Sequence, residues 1–192
     1  EHSKSFSELT RFNSKVFNEI FTTFALLQLQ ELEKLNLRGD LYNYKWKYDK
    51  NFKQSILIEN VLTYTTGIQE NIIYPGPGIA RNADYWKNTP PIRFSEPNES
   101  ITYNADNLII LQTILQDVSG KSPEEFIQDS ILTKLNLENT SFENKKLLVT
   151  GKDLEKIIPI FIEAEGIEQK GILKKETWKE ILEEKLRLED KL

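Results

Sequence analysis

The sequence predicts a mainly α fold, and three observations favour that class. Apolar residues recur at three- and four-residue spacings in several segments, as on the buried face of a helix. The same segments are bounded by glycine, proline or a capping residue. The chain has 192 residues, of which 39% are hydrophobic and 29% charged, a balance typical of one folded domain with a buried core. We therefore expect residues 1–192 to form a single domain.

The first predicted helix covers residues 14–34. Its apolar face is formed by large side chains at near-helical spacing: Phe17, Phe21, Phe24, Leu27 and Leu32. Gln28 is expected to face water. After a break at Gly39, residues 42–52 alternate aromatic with polar side chains. This alternation permits a short strand packed on a core, or a surface on which the aromatic run stacks a sugar or peptide.

The middle of the chain is predicted to be irregular. An apolar segment at 56–64 ends in a turn at residues 65–67. Residues 69–101 contain five of the seven prolines of the chain, which forbids long helices there. Within this stretch, the Pro-Gly-Pro-Gly sequence at 75–78 is interpreted as a plain surface turn or as a lid over a site.

Further helices are predicted in the second half. Leu108, Leu111, Leu115 and Val118 form one helix face, and Gly120 ends that helix. A capping box, with Pro123 at the first helical position, opens another helix that runs to about residue 134. Two more are indicated by apolar residues at helical spacing, one of them interrupted by Pro159: Leu154, Ile157, Ile158 and Phe161, then Trp178, Ile181, Leu182 and Leu188.

Composition excludes several kinds of function. There is no cysteine, and the only histidine is His2, so a Ser-His-Asp triad and metal sites built on thiolates or imidazoles are not available. No oxygen-rich D-x-D-x-D-G loop occurs, and we expect neither a metal nor a cofactor. With 30 acidic against 25 basic residues, nucleic acid is not an expected partner. No apolar run approaches the roughly 18 residues of a membrane-spanning helix.

Four blocks of the sequence resemble, in the same order, the serine β-lactamase and penicillin-binding-protein-like superfamily, above all its class C-like esterases and D-amino-acid peptidases. Residues 10–37 (TRFNSKVFNEIFTTFALLQLQELEKLNL) are similar to the segment T-x-F-R-I-G-S-x-x-K followed by a helix ending Q-L-x-E-x-G-K-L. Residues 58–68 (IENVLTYTTGI) resemble I-x-x-L-L-T-H-T-S-G. Residues 96–142 resemble an E-P-G…Y-S-N…S-G-K-S…N-T-S-F block, and residues 148–182 resemble S-T-A-x-D-L.

The resemblance implies the helix-rich part of an α+β fold whose flanking sheet strands are largely absent from this chain. Since the family's first and last strands have no counterpart and the sequence begins at Glu1, we expect a fragment or a processed segment.

In that family a serine attacks a carbonyl carbon, and a lysine one helical turn later accepts its proton. Alignment through Phe12 places Val16 at the serine and Glu19 at the lysine, and no Ser or Thr in the chain has a Lys three positions later. Tyr103 matches the tyrosine of Tyr-x-Asn, but Ala105 replaces the asparagine. The third family motif, K-T-G or H-x-G, has no counterpart, and Thr150-Gly151-Lys152 is interpreted as a helix cap.

Three functions remain open. The first is a catalytically inactive relative, bacterial and outside the cytoplasm, that binds a cell-wall fragment, a peptide or a protein through a vestigial groove. Such a protein has no catalytic residues, and the residues expected to contact its ligand are Glu19, Tyr64, Tyr103 and Asn107. The second is a hydrolase with a different nucleophile, Ser95 or Ser100, and Glu19 as general base. The third is a helical interaction module without a groove.

Overall fold

The computed structural model describes residues 7–44, 53–68, 93–162, 168 and 170–180. They belong to two compact units, one formed by Glu1–Leu32 with Glu124–Leu192 and the other by Glu33–Pro123. The mainly α class is confirmed. The prediction for residues 42–52 can be compared only at 42–44, which belong to a 3₁₀-helix and not to a strand. The rest of that segment, the Pro-Gly-Pro-Gly sequence at 75–78 and the helix beyond residue 180 lie outside the described residues.

In chain order the elements are β1 (Arg11–Asn13), α1 (Lys15–Glu31), a 3₁₀-helix (Leu41–Tyr44), α2 (Ile58–Leu62), α3 (Asp106–Ser119), α4 (Pro123–Ile127), a π-helix (Gln128–Leu132), β2 (Ser141–Glu143), β3 (Lys146–Thr150) and α5 (Gly151–Ile162). Residues 175–180 are also helical. The predicted helices at 14–34, 108–118 and 154–161 therefore form, and Pro123 is the first residue of α4 as expected.

The strands of the first unit form one antiparallel sheet in the order β1-β3-β2. Phe12 pairs with Val149, and Phe142 pairs with Leu147. The β2–β3 turn places Asn144 and Lys145 at φ values of 49° and 64°, which is the left-handed backbone that tight hairpin turns require. The sequence analysis did not predict these strands.

Helix α1 begins directly after β1 because Ser14 caps it. The Ser14 hydroxyl accepts a hydrogen bond from the N–H of Phe17 at 3.3 Å, which satisfies one of the donors that a helix leaves open at its start. The N–H of Ser14 also donates to Leu147 O on β3 at 2.9 Å. Ser14 thus makes the last hydrogen bond between the β1 segment and β3 and also caps α1.

The core of the first unit lies between α1, the π-helix, β3 and α5. Helices α1 and α5 both pack on β3, and α1 also packs on the π-helix. The fully buried side chains are apolar and come from all these elements: Phe21, Leu26, Leu29, Ile131, Leu132, Leu147, Val149 and Ile157. Burial of such side chains stabilises a fold by roughly 1.5–3 kcal/mol each before chain entropy is counted.

Three predictions of side-chain burial were wrong. Gln28 is buried, and its amide nitrogen donates to Ile172 O at 2.8 Å and to Ser130 O at 3.4 Å. Leu32 and Ile158 were expected to face the core, but they are 61% and 49% exposed. Gln28 is buried because its amide bonds main-chain carbonyls of the 170–173 turn and the π-helix, and these lie far along the sequence.

A buried carboxylate holds the start of α5. Asp153 is fully buried and accepts hydrogen bonds from the N–H of Asn139 and the hydroxyl of Thr140, both at 2.8 Å. Its own N–H donates to the Thr150 hydroxyl at 3.3 Å, so Thr150 caps α5 as the sequence predicts. Lys156 Nζ lies 3.8 Å from Asp153 Oδ1, which compensates the buried charge.

In the second unit α2 packs on α3. Helix α3 begins after Asn104, whose side-chain oxygen accepts from the N–H of Asp106 at 2.9 Å. It ends at Gly120, which has φ 73° and donates its N–H to Gln116 O. This is the left-handed helix end for which glycine is favoured.

Glu33 has the same left-handed conformation without being a glycine. It follows the C-cap of α1 with φ 57°, at the position where the quoted family segment Q-L-x-E-x-G-K-L has its glycine. We expect Glu33→Gly to raise the free energy of unfolding by about 1 kcal/mol, because glycine adopts this backbone without a Cβ clash. Urea denaturation would measure it. Lys34→Gly is the control, since φ at Lys34 is not positive, and it should lower stability instead. Equal effects of both variants would contradict the explanation.

Candidate functional site

The position aligned with the family serine is occupied by an exposed valine. Val16 lies in the first turn of α1, and 63% of its surface is accessible. Glu19 follows three residues later on the same helix and is half-buried. Residues three apart on a helix lie on neighbouring positions of one face, so Val16 and Glu19 have the spacing of the family's serine and lysine in the motif alignment through Phe12.

The residue that the motif alignment assigns to the tyrosine of Tyr-x-Asn lies on the surface of the second unit. Tyr103 is 59% exposed and precedes α3. Ala105 is exposed and has no side chain that could hold a substrate. Asn104, between them, is buried, and its side-chain oxygen accepts from the N–H of Asp106, the first residue of α3. The amide that the motif would present to a substrate is therefore absent.

Tyr64 and Tyr103 are brought together. Their rings stack with centroids 5.3 Å apart and an interplanar angle of 26°. Asn107, the other ligand-binding candidate of this unit, is 2% exposed and donates its amide to Val61 O at 2.8 Å. That contact joins α3 to α2, so the Asn107 amide has a structural partner.

A buried polar network that the sequence analysis missed holds the turn around Tyr64. Asn60 is 2% exposed and donates to Thr65 Oγ1 at 3.2 Å and to Asn98 Oδ1 at 3.0 Å. Thr65 also donates to Asn98 Oδ1 at 2.9 Å and exchanges a 2.8 Å hydrogen bond with Thr63. A satisfied network of this kind fixes the relative position of its chain segments. The T-Y-T-T-G sequence was its only sequence signal.

Glu96 links its own segment, 93–96, to residues 53 and 54. Its carboxylate accepts from the backbone N–H groups of Lys53 and Gln54 at 2.8 and 3.1 Å and lies 3.3 Å from the buried guanidinium of Arg93. The Lys53 N–H has the largest effect in lowering the pKa of Glu96 below its usual range, and the Gln54 N–H and the charges of Arg93 and Lys53 act in the same direction against partial desolvation.

Gly67 allows two backbone segments, around residues 67 and 95, to lie very close together. It has φ 69°, and a Cβ at this position would lie 2.2 Å from the carbonyl oxygen of Ser95. The Gly67 carbonyl accepts from the N–H of Phe94 at 2.9 Å. Any side chain at position 67 would therefore separate the segments 65–68 and 93–95.

The alternative nucleophiles have no activating partner in the described part of the chain. Ser95 is half-buried and Ser100 exposed, and neither hydroxyl has a hydrogen bond to a carboxylate or amine there. Within the same described residues, no group of three or more Asp, Glu or His side chains could hold a metal ion. None of the helices described is long and apolar enough to cross a membrane.

Comparisons with known proteins agree on one family. The sequence model of the family described as beta-lactamase matches residues 20–147. Because this span begins one residue after Glu19, the assignment of positions 16 and 19 rests on the motif alignment through Phe12. Protein flp of Staphylococcus aureus (strain N315) is 27% identical over 144 residues, which cover 71% of this chain and 29% of flp. The chain thus spans less than a third of the curated relatives that it matches.

Solved structures share the fold. A penicillin-binding protein from Bacillus halodurans superposes with a TM-score of 0.70 at 18% identity, covering 92% of this chain and 65% of that protein. FmtA from Staphylococcus aureus superposes with a TM-score of 0.69 at 18% identity, covering 90% of this chain and 56% of FmtA. At these identities the likeness shows the fold alone.

Gly67 and Gly120, the left-handed glycines among the described residues of the second unit, give a matched test of the Gly67 contact. Gly120→Ala should lower the free energy of unfolding by about 1 kcal/mol, because φ 73° is strained for alanine while nothing lies within 4 Å of the new Cβ. Gly67→Ala should lower it at least twice as much, since strain adds to the clash with Ser95. Urea denaturation of both variants measures the difference. Similar losses would show that the close approach does not constrain the loop.

The Glu96 contacts predict an acid-dependent contribution to stability. A carboxylate whose pKa is lower in the folded chain stabilises the fold above its unfolded pKa, and that contribution disappears as pH falls through the folded pKa. The wild type should therefore exceed Glu96→Gln in stability at pH 7, and the gap should narrow below about pH 5. Urea denaturation across this range tests it. Glu138→Gln, which removes an exposed carboxylate, controls for net charge, and a gap independent of pH would contradict the assignment.

Proposed function

Because this chain belongs to the beta-lactamase family, we propose that it is a member without the family's acyl-transfer chemistry and that it acts by binding. The observation that carries the proposal is the valine at the serine position, exposed in the first turn of α1. A valine side chain has no lone pair and no acidic proton, so it cannot attack a carbonyl carbon or leave as part of an acyl-enzyme.

Glu19 at the lysine position supports the same conclusion. A glutamate can accept a proton, but it carries a negative charge into a place where the family uses a cation and where an oxyanion develops. Ala105 adds a third loss, because an alanine cannot orient a substrate amide as an asparagine does. Removing nucleophile and base together eliminates the covalent step itself.

The hydrolase alternative receives no specific support. An activated serine needs a base within hydrogen-bond reach, and neither Ser95 nor Ser100 has one among the described residues. The alternative of a module without a ligand surface is less well supported than binding, because Val16 and Tyr103 are 63% and 59% exposed. Exposed aromatic side chains are enriched where proteins bind ligands.

The partner is proposed to be a cell-wall fragment, a peptide or another protein. Relatives described as penicillin-binding proteins support a partner of this kind, and they also support a bacterial protein that acts outside the cytoplasm. The whole proteins to which this chain is similar are longer, so their activities extend to this chain only as part of the proposal.

The absence of acyl transfer can be measured as intact mass. We expect no mass change after incubation with a penicillin or, separately, with a fluorophosphonate, because both reagents modify activated serines and none is present at position 16. Electrospray mass spectrometry of the intact chain is the measurement. A stoichiometric adduct would contradict the proposal, and peptide mapping would identify the serine responsible.

Two double variants test whether restoring the serine and the lysine is enough to restore reactivity. Val16→Ser with Glu19→Lys restores both groups at the retained spacing, and Val16→Ala with Glu19→Lys restores only the cation. An adduct on the first variant alone would show that α1 still presents position 16 as an active serine helix does. Adducts on both variants would place the reactive serine elsewhere and overturn the assignment of position 16.

A further inference from the structure

Tyr64 has a backbone conformation that a bulky residue rarely adopts. Its φ is 59°, in the left-handed region, which is unfavourable by roughly 1–2 kcal/mol for a residue with a Cβ. Such strain persists only where the surrounding structure determines the conformation, and it is concentrated at functional sites. The strained residue therefore points to a use for the Tyr64 ring.

The surroundings determine the conformation of Tyr64 from both sides. The N–H of Thr65 donates to Asn60 O, and Thr65 O accepts from the N–H of Asn98, both at 2.9 Å. The N–H of Thr102 donates to Tyr64 O, also at 2.9 Å. The buried side-chain network of Asn60 adds to these main-chain bonds. Tyr64 is thus held before any ligand arrives.

The result of this arrangement is a fixed pair of aromatic rings. The Tyr64 ring stacks on that of Tyr103, with 5.3 Å between centroids, and Tyr103 remains 59% exposed. A ring held in place loses little conformational entropy when a ligand binds to it, which favours binding. The faces of both rings are electron-rich and attract cations.

The charges of the two segments that carry these rings are all negative. Residues 58–68 and 94–107 contain Glu59, Glu96, Glu99 and Asp106 and no Lys, Arg or His. Arg38 lies 3.7 Å from Glu59, and Arg93 pairs with Glu96. Glu99 is exposed, and no ion pair to it occurs among the described residues. Glu99 is therefore the carboxylate of these segments that favours a cationic ligand over one that bears a carboxylate.

We propose that Tyr64 and Tyr103 form a binding platform for a cationic side chain, the guanidinium or ammonium group of an arginine or lysine in a peptide. This inference rests on the binding half of the proposed function and specifies its ligand. The cation lies against the exposed Tyr103 ring, and Tyr64 holds that ring in position. The preference is for a positively charged ligand, opposite in sign to the carboxylate of a penicillin.

The test is a titration followed by NMR of the tyrosine ring protons. The probes are N-acetyl-arginine amide and its neutral isostere, N-acetyl-citrulline amide. We expect the arginine derivative to shift the Tyr103 resonances and the citrulline derivative to bind about two- to fivefold more weakly, as for an exposed cation–π contact. A short arginine-containing peptide should bind more tightly than the single amino acid if the natural ligand is a peptide.

Variants separate the platform from the fold. With the Tyr64 ring protons as the reporter, Tyr103→Phe keeps the ring and should retain the shifts caused by the arginine derivative, whereas Tyr103→Ala should abolish them. Tyr64→Gly should weaken binding severalfold while the chain stays folded, because glycine adopts φ 59° without strain. Tyr42→Ala removes a tyrosine elsewhere in the unit and should leave binding unchanged.

Several results would overturn the platform: equal binding of the two derivatives, unchanged binding by Tyr103→Ala, or shifts caused by methyl glucoside and not by the arginine derivative. Such a failure, together with an unchanged mass after penicillin treatment, would leave the loss of acyl transfer standing. A penicillin adduct on a chain that still prefers arginine would overturn that loss and leave the platform standing.

Discussion

The junction at Ser14 determines how the first unit presents its helix. The N–H of Ser14 completes the pairing with β3 through Leu147 O, and its hydroxyl begins α1 by capping Phe17. Because sheet and helix share this residue, the direction of α1 and the position of its first turn follow from the sheet. The packing of Phe21 and Leu26 then holds the helix on β3. Position 16 is therefore placed by the fold, whatever residue occupies it.

The residues that hold a fold together can differ from those that carry its chemistry. The residues that hold the frame satisfy buried polar groups, as Asp153 does in the first unit and Asn60 in the second. Their loss would leave unpaired donors in the interior, which destabilises a fold. Val16 and Ala105 are exposed, and their side chains carry no polar group that the interior would have to satisfy. Stability therefore constrains the first group more strongly than the second.

The long helices could be predicted from the sequence because their apolar spacing is a local signal. Pro123 and Gly120 also marked a helix start and a helix end correctly, since each acts through its own backbone. The three- and five-residue strands gave no usable alternation, so β1, β2 and β3 were missed. Gln28 was misplaced because its partner Ile172 is 144 residues away.

The candidate site was predictable in part for the same reason. Motif spacing assigns Val16, Glu19, Tyr103 and Ala105 to family positions along the chain, and that assignment stays a prediction. The stacking of Tyr64 on Tyr103 joins segments that only the fold brings together. The network from Asn60 to Asn98 spans 38 residues, and a single sequence contains no signal for such a pair. A sequence can therefore identify candidate site residues, but it does not show which of them are in contact.

The hydrogen bonds that Asp153 accepts from Asn139 and Thr140 have a consequence for the order in which the first unit folds. These hydrogen bonds join residues only 13 and 14 positions apart, whereas Arg11 on β1 meets Glu143 across 132 positions. Short loops close at a smaller loss of entropy and more rapidly than long ones. The hairpin β2–β3 with the start of α5 can therefore assemble as an early nucleus. Because β1 and α1 require the longer loop closure, we expect them to dock on that nucleus later, and the turn that carries Val16 with them.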